Sequence, residues 1–303
     1  MRIICYKMSE VKSDNNIESP LAEVNIETVE HKGDFPTVFD LLAMLVIVVL
    51  SQIVVAAVAM LFGMAKPEIF GDVIVDIESF IGSQVTAGQS IAVTYSLSMV
   101  VAVFLLSLYI KLRDKKVTLP RATAAGFNPN VILGGLVWLL AAGVVIDPIV
   151  SLLPSSSQFV GAGFWAVLTS VFFAPLFEEF IFRGLILESL LRRHRRLISV
   201  LISSMLFAIV HFDPAVMVTA FVSGVILGTI YLHTSSIFSV IILHAINNAV
   251  AYSIMSLNLT SYGYRDMMPD NVVYFTVYGL SLIICMLGVW LTWRKKKTKI
   301  KND

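Results

Sequence analysis

Long apolar runs, separated by short polar stretches, follow a polar N-terminal segment in this chain. A helix needs roughly 20 residues to cross the hydrocarbon core of a bilayer, which is about 30 Å thick. Runs of about this length predict eight membrane-spanning helices, of which the fifth and sixth are short and closely joined. The predicted spans are residues 38–64, 86–110, 131–153, 164–191, 197–212, 215–232, 237–257 and 272–293.

Composition supports the same class of protein. Of the 303 residues, 57% are hydrophobic and 14% are charged, whereas soluble domains are about 45–50% apolar and about 25% charged. We therefore predict an all-α, polytopic integral membrane protein whose partners include the lipid bilayer. The net charge of +1 gives no reason to expect nucleic acid as a partner. Cys5 and Cys285 lie far apart and have no metal-ligand spacing.

The distribution of Lys and Arg predicts the orientation, because these residues accumulate in cytoplasmic loops. With eight spans, the basic stretches at residues 111–121, 192–196 and 294–301 fall on one side of the membrane. We therefore expect both termini to be cytoplasmic and the protein to lie in the cell (plasma) membrane. The predicted domains are a flexible cytoplasmic tail, a transmembrane domain and a basic cytoplasmic tail: residues 1–35, 36–293 and 294–303.

Three charged residues interrupt the fourth predicted span: Glu178, Glu179 and Arg183. One ionisable group at the centre of a membrane helix costs roughly 2.5–3.5 kcal/mol on insertion scales, so such groups usually mark function. Residues four apart share a helix face, which pairs Glu179 with Arg183, whereas Glu178 points about 100° away and remains available as a base. Pro175 lacks the N–H that continues a helix and predicts a kink or a locally opened backbone.

Two other predicted spans each carry a polar pair on one face. Phe207 and His211 stand four residues apart in the fifth span, and His244 and Asn248 have the same spacing in the seventh. If the fourth, fifth and seventh helices converge, they form a polar cavity that could hold one water. A base, imidazoles and a carboxamide around a water are the minimum equipment for hydrolysing a carbonyl bond. The four residues are Glu178, His211, His244 and Asn248.

These pairs resemble the three ordered motifs of the CAAX protease and bacteriocin-processing family of intramembrane proteases. This family is also called the Abi family and includes the type II CAAX prenyl endopeptidases. The resemblance covers about residues 164–251, and the other spans match only as hydrophobic helices. The matching motifs are EExxxR at Glu178, Glu179 and Arg183, FxxxH at Phe207 and His211, and HxxxN at His244 and Asn248.

The resemblance implies peptide-bond cleavage by an activated water in a cavity open toward the cytoplasm. Glu178 would activate the water and His211 would assist it. His244 and Asn248 would complete the site and stabilise the oxyanion. The supporting residues would be Glu179, Arg183 and Phe207. The substrate would be a peptide or membrane protein, and prenylated CAAX proteins are the substrates of the eukaryotic relatives.

The residues leave the cofactor open. Glu178, His211 and His244 could hold a zinc ion with one open position, and the family has often been described as metalloprotease. A metal-free site is equally consistent with these residues, since the sequence has no HExxH motif.

Two other classes of function remain as alternatives. A non-enzymatic membrane immunity or regulatory protein would use the same polar network to hold helices together. A proton-coupled transporter would be expected to show an inverted repeat or paired broken segments, and the sequence shows neither.

Overall fold

The computed structural model describes residues 35–61, 87–114, 128–154, 163–256, 264–265 and 267–293. All regular secondary structure in these residues is helical, which confirms the predicted all-α membrane fold. The predicted tails lie outside the described residues, except for Phe35. The helices are α1 Val38–Leu61, α2 Ala87–Arg113, α3 Pro129–Val150, α4 Phe164–Leu191, α5 Arg196–Ile209, α6 Pro214–Thr234, α7 Ile237–Ser256 and α8 Asn271–Trp293.

Seven of the described helices are long and apolar enough to cross a membrane, and the exception is α5. It has 14 residues, which correspond to about 21 Å at 1.5 Å per residue and fall short of the hydrocarbon thickness. All eight predicted segments are therefore present, but the fifth is a short apolar helix that packs against α6.

The start of α1 is fixed by a capping box and by α2. Thr37 donates its N–H and its hydroxyl to Oδ2 of Asp40, and the Asp40 N–H donates back to the Thr37 hydroxyl. The same carboxylate accepts hydrogen bonds from Tyr109 at 2.6 Å and from Nε of Arg113 at 2.7 Å. Asp40 is 2% exposed, and these donors offset the cost of burying its charge. The contacts hold α2 firmly against α1.

Helix α4 is irregular on both sides of Glu178 and Glu179. It is π-helical at Leu168–Phe173, α-helical at Ala174–Glu179 and π-helical again at Phe180–Leu187. Single π-helical turns inside α-helices are rare and often occur at functional sites. The locally opened backbone predicted for this region is therefore confirmed.

Proline explains how the first π-helical segment is tied to α7. The N–H of Ala174 donates to the carbonyl of Thr169, five residues back. The next donor in this ladder would be residue 175, and Pro175 has no N–H. The carbonyl of Ser170 accepts instead from the side-chain amide of Asn248, at 2.9 Å. A missing backbone donor in α4 is thus replaced by a polar residue of α7.

A tight turn separates α5 from α6 and contains His211. Phe212 adopts a left-handed backbone conformation with a φ of 56°. The side chain of Asp213 then accepts hydrogen bonds from the backbone N–H groups of Ala215 and Val216, which caps α6. His211 therefore lies just beyond the end of α5, where the following Asp-Pro pair predicted the helix to stop.

Close contact between α3 and α8 depends on Gly288. A Cβ at this position would lie 2.6 Å from ring atoms of Trp138. We expect Gly288→Ala to lower the free energy of unfolding by about 1–3 kcal/mol, because the rigid indole must move. The measurement is thermal unfolding of the purified protein in detergent.

Gly279 on the same helix is the matched control, since a Cβ there would meet nothing within 4 Å. Gly279→Ala should leave the unfolding temperature unchanged or raise it, because Ala is better than Gly in a helix by up to about 1 kcal/mol. An unfolding temperature of Gly288→Ala equal to that of the wild type would contradict the packing argument.

Candidate active site

A cavity of about 520 Å³ lies among helices α3, α4, α5, α6 and α7. The four residues predicted to surround one water all line it: Glu178, His211, His244 and Asn248. The fourth, fifth and seventh helices therefore converge as the polar pairs indicated. The sequence did not indicate that α3 and α6 complete the wall, because their lining residues are mostly apolar and look like ordinary membrane-helix residues.

Glu179 lies at the centre of a buried ion network. Its Oε1 accepts a hydrogen bond from Nη1 of Arg183 at 2.6 Å and lies 2.7 Å from Nδ1 of His244. The side chains of Glu179 and Arg183 are 0% and 1% exposed, so the predicted pair is fully removed from solvent. An ionised carboxylate only accepts hydrogen bonds, and we therefore assign a proton to Nδ1 of His244. Glu179 thus orients this imidazole.

Arg183 links the network to α5 and α6. Its Nη2 donates to the carbonyl of Gly224 at 3.2 Å, and its guanidinium carbon lies 4.8 Å from the centre of the Phe207 ring. A Cβ on Gly224 would lie 3.0 Å from Cβ of Ser204 and 3.3 Å from the Phe207 ring. The absence of a side chain at Gly224 therefore allows α6 to pack closely against α5. Oε2 of Glu179 has no hydrogen-bond partner among the described residues. The arginine is therefore essential to the burial of this carboxylate.

Glu178 has different partners. Its Oε1 accepts a hydrogen bond from the hydroxyl of Tyr95 at 3.0 Å. Its Oε2 lies 3.9 Å from Nε2 of His244, and its side chain is 12% exposed. Tyr95 could not be singled out from the sequence, because it has no charged neighbour at helical spacing in α2. The two adjacent carboxylates face different neighbours, as the helix geometry predicted.

His211 and Phe207 pack beside the network. Nδ1 of His211 lies 2.8 Å from the carbonyl of Phe207, which only accepts, so this nitrogen carries a proton, and Nε2 is left for another partner. The Phe207 ring meets both imidazoles edge to face, with centroid distances of 4.9 Å to His211 and 6.0 Å to His244. Phe207 therefore holds the two histidine rings in position through packing.

Serine and threonine hydroxyls also line the cavity, but each donates to a carbonyl of its own helix. Ser170 donates to Ala166 at 2.7 Å, Thr219 to Val216 at 2.9 Å, and Ser223 to Ala220 at 3.2 Å. In the described part of the chain, none of these hydroxyls hydrogen-bonds to an imidazole. A hydroxyl nucleophile needs an adjacent base, and this arrangement therefore favours water as the nucleophile.

The donor set fits a zinc ion only in part. Both imidazoles have Nδ1 engaged and Nε2 free, which is also how metal-bound histidines are commonly held. Within the residues that the structure describes, however, no group of three His, Cys, Asp or Glu side chains is placed to hold a metal ion. The predicted set of Glu178, His211 and His244 is therefore not assembled as a metal centre in this structure.

The apolar helices and the buried charged network together define an integral membrane protein with a polar site inside its helical domain. Residues 160–250 match the family model described as Type II CAAX prenyl endopeptidase Rce1-like. The matched segment carries all three motifs, so the resemblance to the CAAX protease family is confirmed. Among curated proteins and among solved structures, no match was found.

Proposed function

We propose that the protein is an intramembrane endopeptidase that hydrolyses a peptide bond of a membrane-associated peptide or protein. The observation that carries the proposal is the convergence of four polar residues on one cavity, within a segment that matches a family of prenyl endopeptidases. These residues are Glu178, His211, His244 and Asn248.

Glu178 is proposed as the general base. Its Oε2 and Nε2 of His244 are 3.9 Å apart, which is too long for a direct hydrogen bond. Because these two atoms do not bond to each other, Oε2 of Glu178 is available to hold a water and Nε2 of His244 to hold the substrate carbonyl beside it. The water gives its proton to Glu178 while its oxygen attacks the carbonyl carbon. Glu178 then gives the proton to the nitrogen of the scissile bond. The C–N bond breaks, and the products are a carboxylic acid and an amine. The free Nε2 of His211 would help to hold the water.

His244 and Asn248 are proposed to stabilise the oxyanion. The amide nitrogen of Asn248 carries two hydrogens, and the bond to Ser170 uses one of them. Donation from Nε2 of His244 to the oxyanion uses a second ring proton, in addition to the one that Nδ1 donates to Glu179. Donors fixed in a low-dielectric site act strongly on charge that develops during the reaction.

We also propose that the protein lies in the plasma membrane with both termini in the cytoplasm. The basic loops and tail favour this orientation. This orientation holds although α5 is short. Helix α5 packs against α6, and α6 is long enough to cross the membrane and return the chain to the side on which α5 begins. The following helices α7 and α8 then place the basic tail on the cytoplasmic side.

The proposed activity can be tested by comparing peptide termini in cells that carry the wild type or Glu178→Ala. We expect new termini in membrane peptides or proteins that depend on the wild-type protein and disappear in the variant. Purified protein in liposomes should also be incubated with a farnesylated CAAX peptide and with its unprenylated counterpart. Cleavage of the first alone would show that the lipid matters, and cleavage of both would show that it does not.

Glu188→Gln serves as the control in both experiments, because Glu188 lies on α4 and hydrogen-bonds to Tyr231 at 2.7 Å, away from the cavity lining. The proposal fails if all variants accumulate equally and no terminus or peptide cleavage depends on Glu178. A function of the wild type that persists in Glu178→Ala would instead indicate the immunity or regulatory role.

A further inference from the structure

A tyrosine outside the matched segment contacts the proposed base. Tyr95 lies in α2, and its hydroxyl donates to Oε1 of Glu178 at 3.0 Å. The family match begins at residue 160, so neither it nor the motifs assign a role to this residue. The contact joins residues 83 positions apart in the chain, and it therefore depends entirely on how α2 packs against α4.

Helix α2 is well suited to hold a side chain in place. Its C-terminal end is fixed by the hydrogen bonds of Tyr109 and Arg113 to the buried carboxylate of Asp40. The ring of Tyr95 packs against the hydrophobic core that includes residues of α1, α2, α4 and α5. A group that must keep a reactive atom in position works best from a rigid, packed element.

The two adjacent glutamates are distinguished by their partners. Glu179 is neutralised by Arg183 at 2.6 Å and has the character of a fixed counter-ion. Glu178 receives a hydrogen bond from a phenol, which stabilises its charge without cancelling it. This bond occupies Oε1, while Oε2 is the oxygen near His244.

We propose that Tyr95 is a positioning residue for Glu178. Its hydroxyl fixes Oε1 and so leaves Oε2 as the atom that receives the proton from water. This inference rests on the proposed function, and it adds α2 to the helices that build the site.

The first test is Tyr95→Phe, which removes the hydroxyl and keeps the ring. We expect kcat to fall about tenfold and KM to stay unchanged, as for the loss of one hydrogen bond to a charged group. The substrate is the farnesylated CAAX peptide in liposomes. Tyr231→Phe is the matched control, because it also removes a phenol–carboxylate bond to a glutamate of α4 but away from the cavity. It should keep the wild-type kcat, and a wild-type kcat in Tyr95→Phe would overturn the proposal.

A double-mutant cycle identifies the partner of Tyr95. If the hydroxyl acts through Glu178, adding Tyr95→Phe to Glu178→Gln should cause no further loss of the residual activity. A full tenfold loss in both backgrounds would show that Tyr95 acts elsewhere and would overturn the assignment.

Infrared spectroscopy tests the contact without any substrate. The carboxylate stretching band of Glu178 is isolated as the difference between the wild type and Glu178→Gln. When the same difference is taken in each tyrosine variant, the band should shift in Tyr95→Phe and stay in place in Tyr231→Phe. An unshifted band in Tyr95→Phe would overturn the proposal. A shifted band in a protein that cleaves no peptide would refute the proposed function and leave the positioning contact standing.

Discussion

Glu178→Gln should lower kcat for peptide cleavage by about a thousandfold, in the range found for loss of a general base. The amide keeps the size of the side chain and can still accept from Tyr95 through its oxygen, but it cannot take a proton from water. KM should change little, because the proposed role of Glu178 is to activate water. The measurement is steady-state cleavage of the farnesylated CAAX peptide by purified protein in liposomes.

The control for this prediction is Glu188→Gln, which makes the same chemical change on the same helix. Glu188 is bonded to Tyr231 and does not line the cavity. We expect its kcat to equal that of the wild type. Cleavage by Glu178→Gln at the wild-type rate would contradict the assignment of the base.

Arg183→Leu should have the largest effect on stability. It leaves the fully buried carboxylate of Glu179 without its cation, and breaking a buried ion pair in this way costs about 3–5 kcal/mol. Oε2 of Glu179 already has no hydrogen-bond partner among the described residues, so it offers no compensation. We expect a strongly lowered unfolding temperature in detergent and poor accumulation in membranes.

A double variant separates stability from activity at this pair. Arg183→Met combined with Glu179→Gln removes both charges and should recover much of the lost stability, because apolar or neutral replacements of buried pairs are often tolerated. It should not recover cleavage, because His244 loses the carboxylate that orients it.

Arg192→Leu is the control for the loss of an ion pair, since Arg192 pairs with Asp114 at 3.3 Å and its side chain is 36% exposed. Such exposed pairs contribute about 0–1 kcal/mol. If Arg183→Leu and Arg192→Leu lowered the unfolding temperature equally, the buried network would not have the role that we assign to it.

The helices of this protein could be predicted because membrane spans follow from the length and hydropathy of continuous segments. The pairing of Glu179 with Arg183 was also predictable, since residues four apart meet on any regular helix. The opening of α4 near Pro175 followed from the missing N–H of proline. In each case the physical cause lies within a few residues of its effect.

Contacts between distant parts of the chain could not be predicted in this way. The hydroxyl of Tyr95 reaches Glu178 across 83 positions, and the carbonyl of Gly224 receives Arg183 across 41. Neither Tyr95 nor Gly224 has a charged neighbour at helical spacing, so neither is distinguished from other membrane-helix residues. The hydrogen bond between His244 and Glu179 could not be predicted either, because it joins residues 65 positions apart in the chain.

The sequence by itself determined that this is a helical membrane protein with polar pairs on three of its helices, because hydropathy and helical spacing are local properties of the chain. Only the tertiary structure decided which atoms those pairs face. It places Tyr95 and the cavity beside Glu178, and Arg183 and His244 beside Glu179. These partners depend on the packing of α2, α4 and α7, since hydrogen bonds and ion pairs form only where helices bring the groups within about 3 Å of each other.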